Sequence, residues 1–315
     1  MLRHTNNRLV AYLKIIRPFN LFMIFIAQLI LKLSLSYLRD VGTQLSFLEF
    51  ATLSFATLCI AAAGYIHNDI VDIKADRINK PNEVYVVDNI SLRAAYTYFI
   101  SLWTIGIILG IYSSFILGHW DYSLLFIGVS VALYAYNSYL QRIPILGNVV
   151  TSGLVAFSLV IIWLFEVKAL KLSGVEHVLT KEGHILFTFV VVLAFMINVL
   201  RELVKDVQDI NGDYAMKYHT LPIIIGSKRT MLLCALIALG LLFNSALFTF
   251  IFARGPLLIS VVLFAFTILP LGHVASQCWN AEKTSDYKYI ARLLKGIMLL
   301  GILLFPLILI IERYA

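Results

Sequence analysis

The chain has 315 residues, 60% hydrophobic and 14% charged, with a mean hydropathy of +0.87 and a formal net charge of +7. Soluble domains sit nearer about 45–50% apolar and about 25% charged, so one water-soluble core cannot absorb this much apolar surface and the bilayer is its natural solvent. The three cysteines, Cys59, Cys234 and Cys278, are far apart with no CxxC spacing, which excludes a disulfide framework and makes them core residues.

Arg3, Arg8, Lys14 and Arg17 precede an apolar run starting at Pro18. The run is too long for the core of a signal peptide and reads as a retained first span. An apolar run of about 20 residues crosses the hydrocarbon as a helix. Nine are predicted, at 18–38, 46–67, 94–117, 121–138, 146–166, 184–201, 229–252, 256–275 and 289–311. The expected fold is therefore an all-α membrane protein, a single polytopic domain over 1–315, with nine transmembrane helices bundled around a central cavity. Pro18, Pro256 and Pro270 are expected at span ends or kinks. Most of the 25 Lys and Arg residues fall in the N-terminal tail and the even-to-odd connections. The positive-inside rule then makes the N-terminus cytoplasmic and the C-terminus external. The same distribution explains the net charge as a topology signal, so no nucleic-acid partner is expected.

Two connections on that side are long and charged, and the active site is expected there, at the cytoplasmic face. The first carries Asn68-Asp69-Ile-Val-Asp72-Ile-Lys-Ala-Asp76-Arg77-Ile-Asn79-Lys80-Pro81, the second Lys205-Asp206-Val-Gln-Asp209-Ile-Asn-Gly212-Asp213. Both contain D-x₂-D-x₃-D. At about 100° per residue, positions i, i+3 and i+7 share one helix face within about 60°. Like charges stacked this way destabilise a helix, more so near a membrane. A compensating cation is needed, and Mg²⁺ suits carboxylates, water and phosphate oxygens. Two facing clusters can hold two ions on one diphosphate. A transporter would place its carboxylates nearer the bilayer midplane, and a non-catalytic scaffold has no need of two intact clusters.

At these residues the sequence resembles the UbiA superfamily of intramembrane prenyltransferases. Asn68 to Asp76 matches its N-D-x-x-D-x-x-x-D motif, followed by a familiar Arg77-Ile78-Asn79-Lys80-Pro81. Lys205 to Asp213 matches K-D-x-x-D-x-x-G-D. Arg17-Pro18-Phe19-Asn20, Tyr136-Asn137-Ser138 with Arg142, and Gly147-Asn148 add to the likeness. The second motif is most similar to the branch that transfers geranylgeranyl groups to geranylgeranylglyceryl phosphate, and is also similar to homogentisate prenyltransferases and chlorophyll synthases. Two departures stand out. Asn82 to Asp88 replaces the usual Arg-Pro-Leu-Pro-Ser-Gly, and Gln141 stands where a Lys often precedes Arg142.

The resemblance implies a polyprenyl diphosphate donor lying among lipid-facing helices and a lipid-phosphate or aromatic acceptor. It implies one Mg²⁺ held by Asn68, Asp72 and Asp76 and another by Asp206, Asp209 and Asp213, with Asp69 as a ligand or a support. Asp72, Asp76, Asp206 and Asp209 would carry catalysis by stabilising the leaving diphosphate. Arg77, Lys80, Arg142 and Lys205 are candidate phosphate contacts, and Tyr136 a candidate face for the allylic cation. Asn20 either bonds the acceptor or caps the first span. A phosphorylated acceptor would need more cations, for which Lys217, Lys228 and Arg229 are candidates.

Overall fold

The structure, a computed structural model, describes residues 2–37, 45–172, 181–252 and 255–314. Leu38, the last residue of the expected first span, lies outside them. The described residues form helices α1 (Leu2–Ile15), α2 (Pro18–Tyr37), α3 (Phe47–Val71), α4 (Ile73–Asn79), α5 (Leu92–Ile116), α6 (Ser123–Ser138), α7 (Leu146–Leu172) and α8 (Lys181–Ala215). They continue with α9 (Leu221–Ile225), α10 (Ser227–Phe252), α11 (Leu257–Leu263), α12 (Leu269–Asn280) and α13 (Thr284–Tyr314). No strand occurs among the described residues, only an isolated bridge between Val86 and Ile90. In hydrocarbon every backbone group must bond within its own segment, and a helix achieves that.

Among the described residues, eight helical segments are long and apolar enough to cross a membrane. The fourth expected span is α6, whose 16 residues reach about 24 Å, short of a hydrocarbon core of about 30 Å. Among the described residues, then, eight helices have full length, and the fourth of the nine expected spans is a shorter helix. Pro18 opens α2 and Pro256 caps α11. Pro270 sits inside one span, where its missing N–H would break the ladder. The helix widens to a π-turn over Phe264–Ile268 and then resumes as α12, a local change of pitch that absorbs the lost bond.

The helices close a ring. Helix α3 packs on α5 and α6, α6 on α7, α7 on α8, and α8 on α10 and α13. Helix α2 touches α3, α7 and α13 and completes the circle. Gly106 lets α5 approach α3 closely, since a Cβ there would lie 2.7 Å from Ile60 and 3.0 Å from the Ala56 carbonyl oxygen. Small residues at such contacts substitute for the hydrophobic drive that lipid does not supply. Helix α1 lies across one end, burying Ala11 and Ile15 against Ala63, Ile66 and Phe99.

Two elements differ from the sequence expectation. The sixth span was expected to end at 201, where hydropathy falls. Helix α8 instead runs 35 residues through Ala215, about 52 Å, so the second Asp cluster, expected on one helix face, lies on an unbroken continuation of that span. Leu203, Val204 and Val207 are buried there and hold the extension in the bundle. The first cluster was expected on one continuous helix. Helix α3 ends at Val71, Asp72 bends at φ −93° and ψ 10°, and α4 starts afresh.

Candidate active site

The bend at Asp72 and the extension of α8 bring the two clusters together. Asn79, at the end of α4, joins them. Its Nδ2 donates to the Asp209 carbonyl at 2.9 Å, and its Oδ1 accepts from the Gly212 N–H at 2.8 Å. A Cβ on Gly212 would lie 2.7 Å from the Ala75 carbonyl oxygen and would overlap the Asn79 side chain. Only glycine allows α4 and α8 to sit this close. Lys80 adds a charged bridge, 3.2 Å from Asp209 and 4.0 Å from Asp76.

Each remaining acidic residue has its own partner. Arg17 donates to Asn68 at 3.0 Å and to Asp69 at 2.9 Å. Its guanidinium lies over the Tyr65 ring, 4.9 Å from the centroid. Burial works against the Arg17 charge, yet Asp69 and Tyr65 outweigh it and hold the pKa above its ordinary value. Asp72 accepts from Asn68 at 2.7 Å and from Gln141 at 2.9 Å. Burial, with Asp76 and Asp213 nearby, pushes its pKa up to about 7 against the pull of Lys205 and the Gln141 bond. Asn148 donates to Asp206 at 2.8 Å and Thr220 to Asp213 at 3.1 Å. Arg201 donates to Glu202 at 2.6 Å and to Asn198 at 3.3 Å.

Of the candidate phosphate contacts, Lys80 and Lys205 join the clusters, the latter within electrostatic range of Asp72, Asp206 and Asp213. Arg142 stacks its guanidinium on Tyr218, 4.9 Å from the ring centre. Arg77 turns away to an exposed pair with Asp88 at 3.4 Å. Tyr136 lines a chamber beside the clusters and Asn20 lines another. Lys228 is spent on Glu282 and the Trp279 carbonyl. Sequence reasoning assigned no role to Arg17, Asn79, Asn148 or Gln141, although each stands within a motif noted above.

The donor set is carboxylate oxygen with one amide, the hard set that suits Mg²⁺. Among the described residues no three carboxylates, imidazoles or thiols converge tightly enough to hold an ion unaided.

Two apolar chambers lead from this end into the bundle. One, between α2, α3, α6, α7 and α8, has Asn68, Glu202 and Lys205 at its mouth and Phe126, Phe157 and Ile161 deeper in. The other, between α2, α7, α8 and α13, has Asn20, Arg201 and Lys295 at its mouth and Leu31, Phe187 and Phe305 deeper in. Ile24, Tyr65, Val155, Ser158 and Arg201 line both.

The model of the UbiA prenyltransferase family matches residues 7–308. A digeranylgeranylglyceryl phosphate synthase of Thermococcus kodakarensis is 34% identical over 194 residues, covering 61% of this chain and 62% of that relative. A structure solved for insight into digeranylgeranylglyceryl phosphate synthase in membranes superposes with a TM-score of 0.65 at 20% identity, covering 95% of this chain and 98% of that one. A UbiA homolog from Archaeoglobus fulgidus bound to DMAPP and Mg²⁺ gives 0.60 at 15% identity, covering 92% and 98%. These two likenesses establish a shared fold.

Proposed function

The chain belongs to the UbiA prenyltransferase family, and we propose that it transfers a geranylgeranyl group from its diphosphate, with Mg²⁺, to geranylgeranylglyceryl phosphate. The observation that carries this reading is the pair of apolar chambers meeting at Tyr65 and Arg201. A single prenyl chain with a small aromatic acceptor needs one long apolar chamber, whereas two prenylated substrates need two. The curated relatives named digeranylgeranylglyceryl phosphate synthase support the same acceptor.

The chamber with Asn68, Glu202 and Lys205 at its mouth takes the donor. Lys80 and Lys205 contact the diphosphate as point charges. Asn68, Asp72 and Asp76 would hold one ion and Asp206, Asp209 and Asp213 a second. Mg²⁺ there would supply charge neutralisation for the departing diphosphate. Asn148, Gln141 and Thr220 fix the carboxylates so that little reorganisation accompanies the reaction. The bond between prenyl C1 and the diphosphate oxygen breaks with its electron pair going to diphosphate. The allylic cation faces the Tyr136 ring. The acceptor hydroxyl oxygen forms the new C–O bond, and its proton leaves with the diphosphate. The chain acts as one polytopic domain with the N-terminus and the active site on the cytoplasmic side, as the distribution of Lys and Arg supports.

The test is incubation of the detergent-solubilised chain with radiolabelled geranylgeranyl diphosphate and Mg²⁺, offering geranylgeranylglyceryl phosphate in one tube and a hydroxybenzoic acid in another. A lipid product only in the first, lost in Asp72→Ala and Asp206→Ala, is the expected result. Product only in the second tube overturns the acceptor.

A further inference from the structure

Lys295 lies in α13, eleven residues beyond Thr284, which places it about 16 Å along that helix. Lys295 is exposed and lines the mouth of the α2–α13 chamber together with Arg201. Among the described residues Lys295 has no ion pair and no hydrogen bond. Glu202 is the only acidic group among the main charges that act on it, the others being the cations Arg201, Arg17 and Lys205. Glu202 is already engaged by Arg201 at 2.6 Å, as Asp69 is by Arg17 at 2.9 Å. The chamber mouth therefore carries cationic charge with no protein anion left to answer it. The surface candidate for such a role, Lys228, is tied to Glu282.

Arg201 is also oriented. Glu202 holds Nη2 and Asn198 holds Nε, which fixes the plane of the guanidinium at the wall between the chambers. Asn20 and Asn198 line the same mouth with amide groups. The deeper walls, Phe187 and Phe305 among them, are apolar. An anionic head followed by a long hydrocarbon tail matches this sequence of surfaces.

We propose that Lys295, with the oriented Arg201, forms an anion subsite that binds the phosphate of the lipid acceptor at the mouth of the α2–α13 chamber. The diphosphate of the donor is thereby kept at the Asp clusters, and each lipid has its own headgroup station. The assignment rests on the function proposed above. Lys295 is a specificity residue: it selects a phosphorylated acceptor and takes no part in breaking the donor bond.

The experiment uses the full chain in neutral detergent with Lys295→Met, which keeps the length of the side chain, and Lys295→Arg. With geranylgeranylglyceryl phosphate as acceptor, Lys295→Met is expected to raise its KM about ten- to hundredfold, the range for one charged hydrogen bond, with kcat changed less than about threefold. Mg²⁺-dependent binding of geranylgeranyl diphosphate stays as in the wild type, and Lys295→Arg recovers most of the KM. Hexadecyl phosphate is expected to stabilise the wild type against heating at concentrations at least about tenfold below hexadecanol, a preference that Lys295→Met abolishes. An unchanged KM with the phosphate preference intact overturns the subsite while leaving the transferase reading standing. A wild type that makes no product yet keeps a Lys295-dependent preference for hexadecyl phosphate supports the subsite and removes only the named acceptor.

Discussion

Replacing Asn79 with Ala removes the two hydrogen bonds that hold α4 against α8. Both bonds run from a side chain to partly buried backbone, at 2.9 Å to Asp209 and 2.8 Å to Gly212. Each such bond contributes about 1 kcal/mol net, so the loss is about 2 kcal/mol. One cluster follows α3 and α4 and the other lies on α8, and a diphosphate must touch both. The same 2 kcal/mol therefore appears in ligand affinity, about thirtyfold at 1.4 kcal/mol per tenfold. The assay is Mg²⁺-dependent binding of geranylgeranyl diphosphate to the detergent-solubilised variant, with thermal unfolding recorded alongside. Gly212→Ala should cost more, because its methyl would lie 2.7 Å from the Ala75 carbonyl oxygen and force the helices apart. Asn82→Ala, two residues beyond Lys80 and exposed, should leave binding unchanged. Diphosphate affinity in Asn79→Ala equal to that of the wild type would refute the reasoning that this amide sets the spacing of the clusters.

Three further outcomes are expected. Asp72 ionises near its ordinary 3.8 in the unfolded chain but at about 7 in the metal-free fold. Folding therefore takes up a proton between those values, and the stability that goes with it is lost as pH rises through about 7. Thermal midpoints of the metal-free protein should fall from pH 6 to pH 8, and Mg²⁺ affinity should rise over the same interval as the carboxylate becomes available. Gln141→Lys, which sets an ammonium beside Asp72, should move both transitions down by about 1 to 3 pH units, and a profile identical to the wild type would sink this account. Arg17→Ala removes the donor shared by Asn68 and Asp69 and should lower thermal stability by about 2 kcal/mol or more, with partial recovery in Arg17→Lys. Arg77→Ala disturbs only an exposed pair with Asp88, 56% and 51% accessible, so diphosphate binding should stay within about twofold, given what surface pairs contribute.

The Asp clusters were legible because two copies of one spacing at helix ends are hard to explain without a cation. Their mutual placement was not. Hydropathy drops at Arg201, so a span read from apolar length stops there, yet Leu203, Val204 and Val207 keep α8 packed far beyond it. Angular arithmetic on Asp69, Asp72 and Asp76 assumes one straight helix and has no means of finding the bend at Asp72. Gln141 could be seen as a substitution for a usual Lys, but its bonds to Asp72 and Asn68 exist only after α6 meets α3. Arg77 shows the converse. It follows the motif directly in sequence, and helical rotation carries it to the surface. Lys295 carries no motif in the sequence, and only the fold places it at a chamber mouth.

The two chambers share Ile24, Tyr65, Val155, Ser158 and Arg201, but no phenylalanine is common to both: Phe126 and Phe157 belong to one, Phe187 and Phe305 to the other. The protein thus carries two rulers that share part of one wall. A bulkier or smaller side chain at Phe126 should reset the hydrocarbon length accepted in its own chamber more than in the other. Within such a scaffold, the two chains of a double-tailed lipid can be matched or mismatched in length by single substitutions on different helices, with the chemistry between them unaltered.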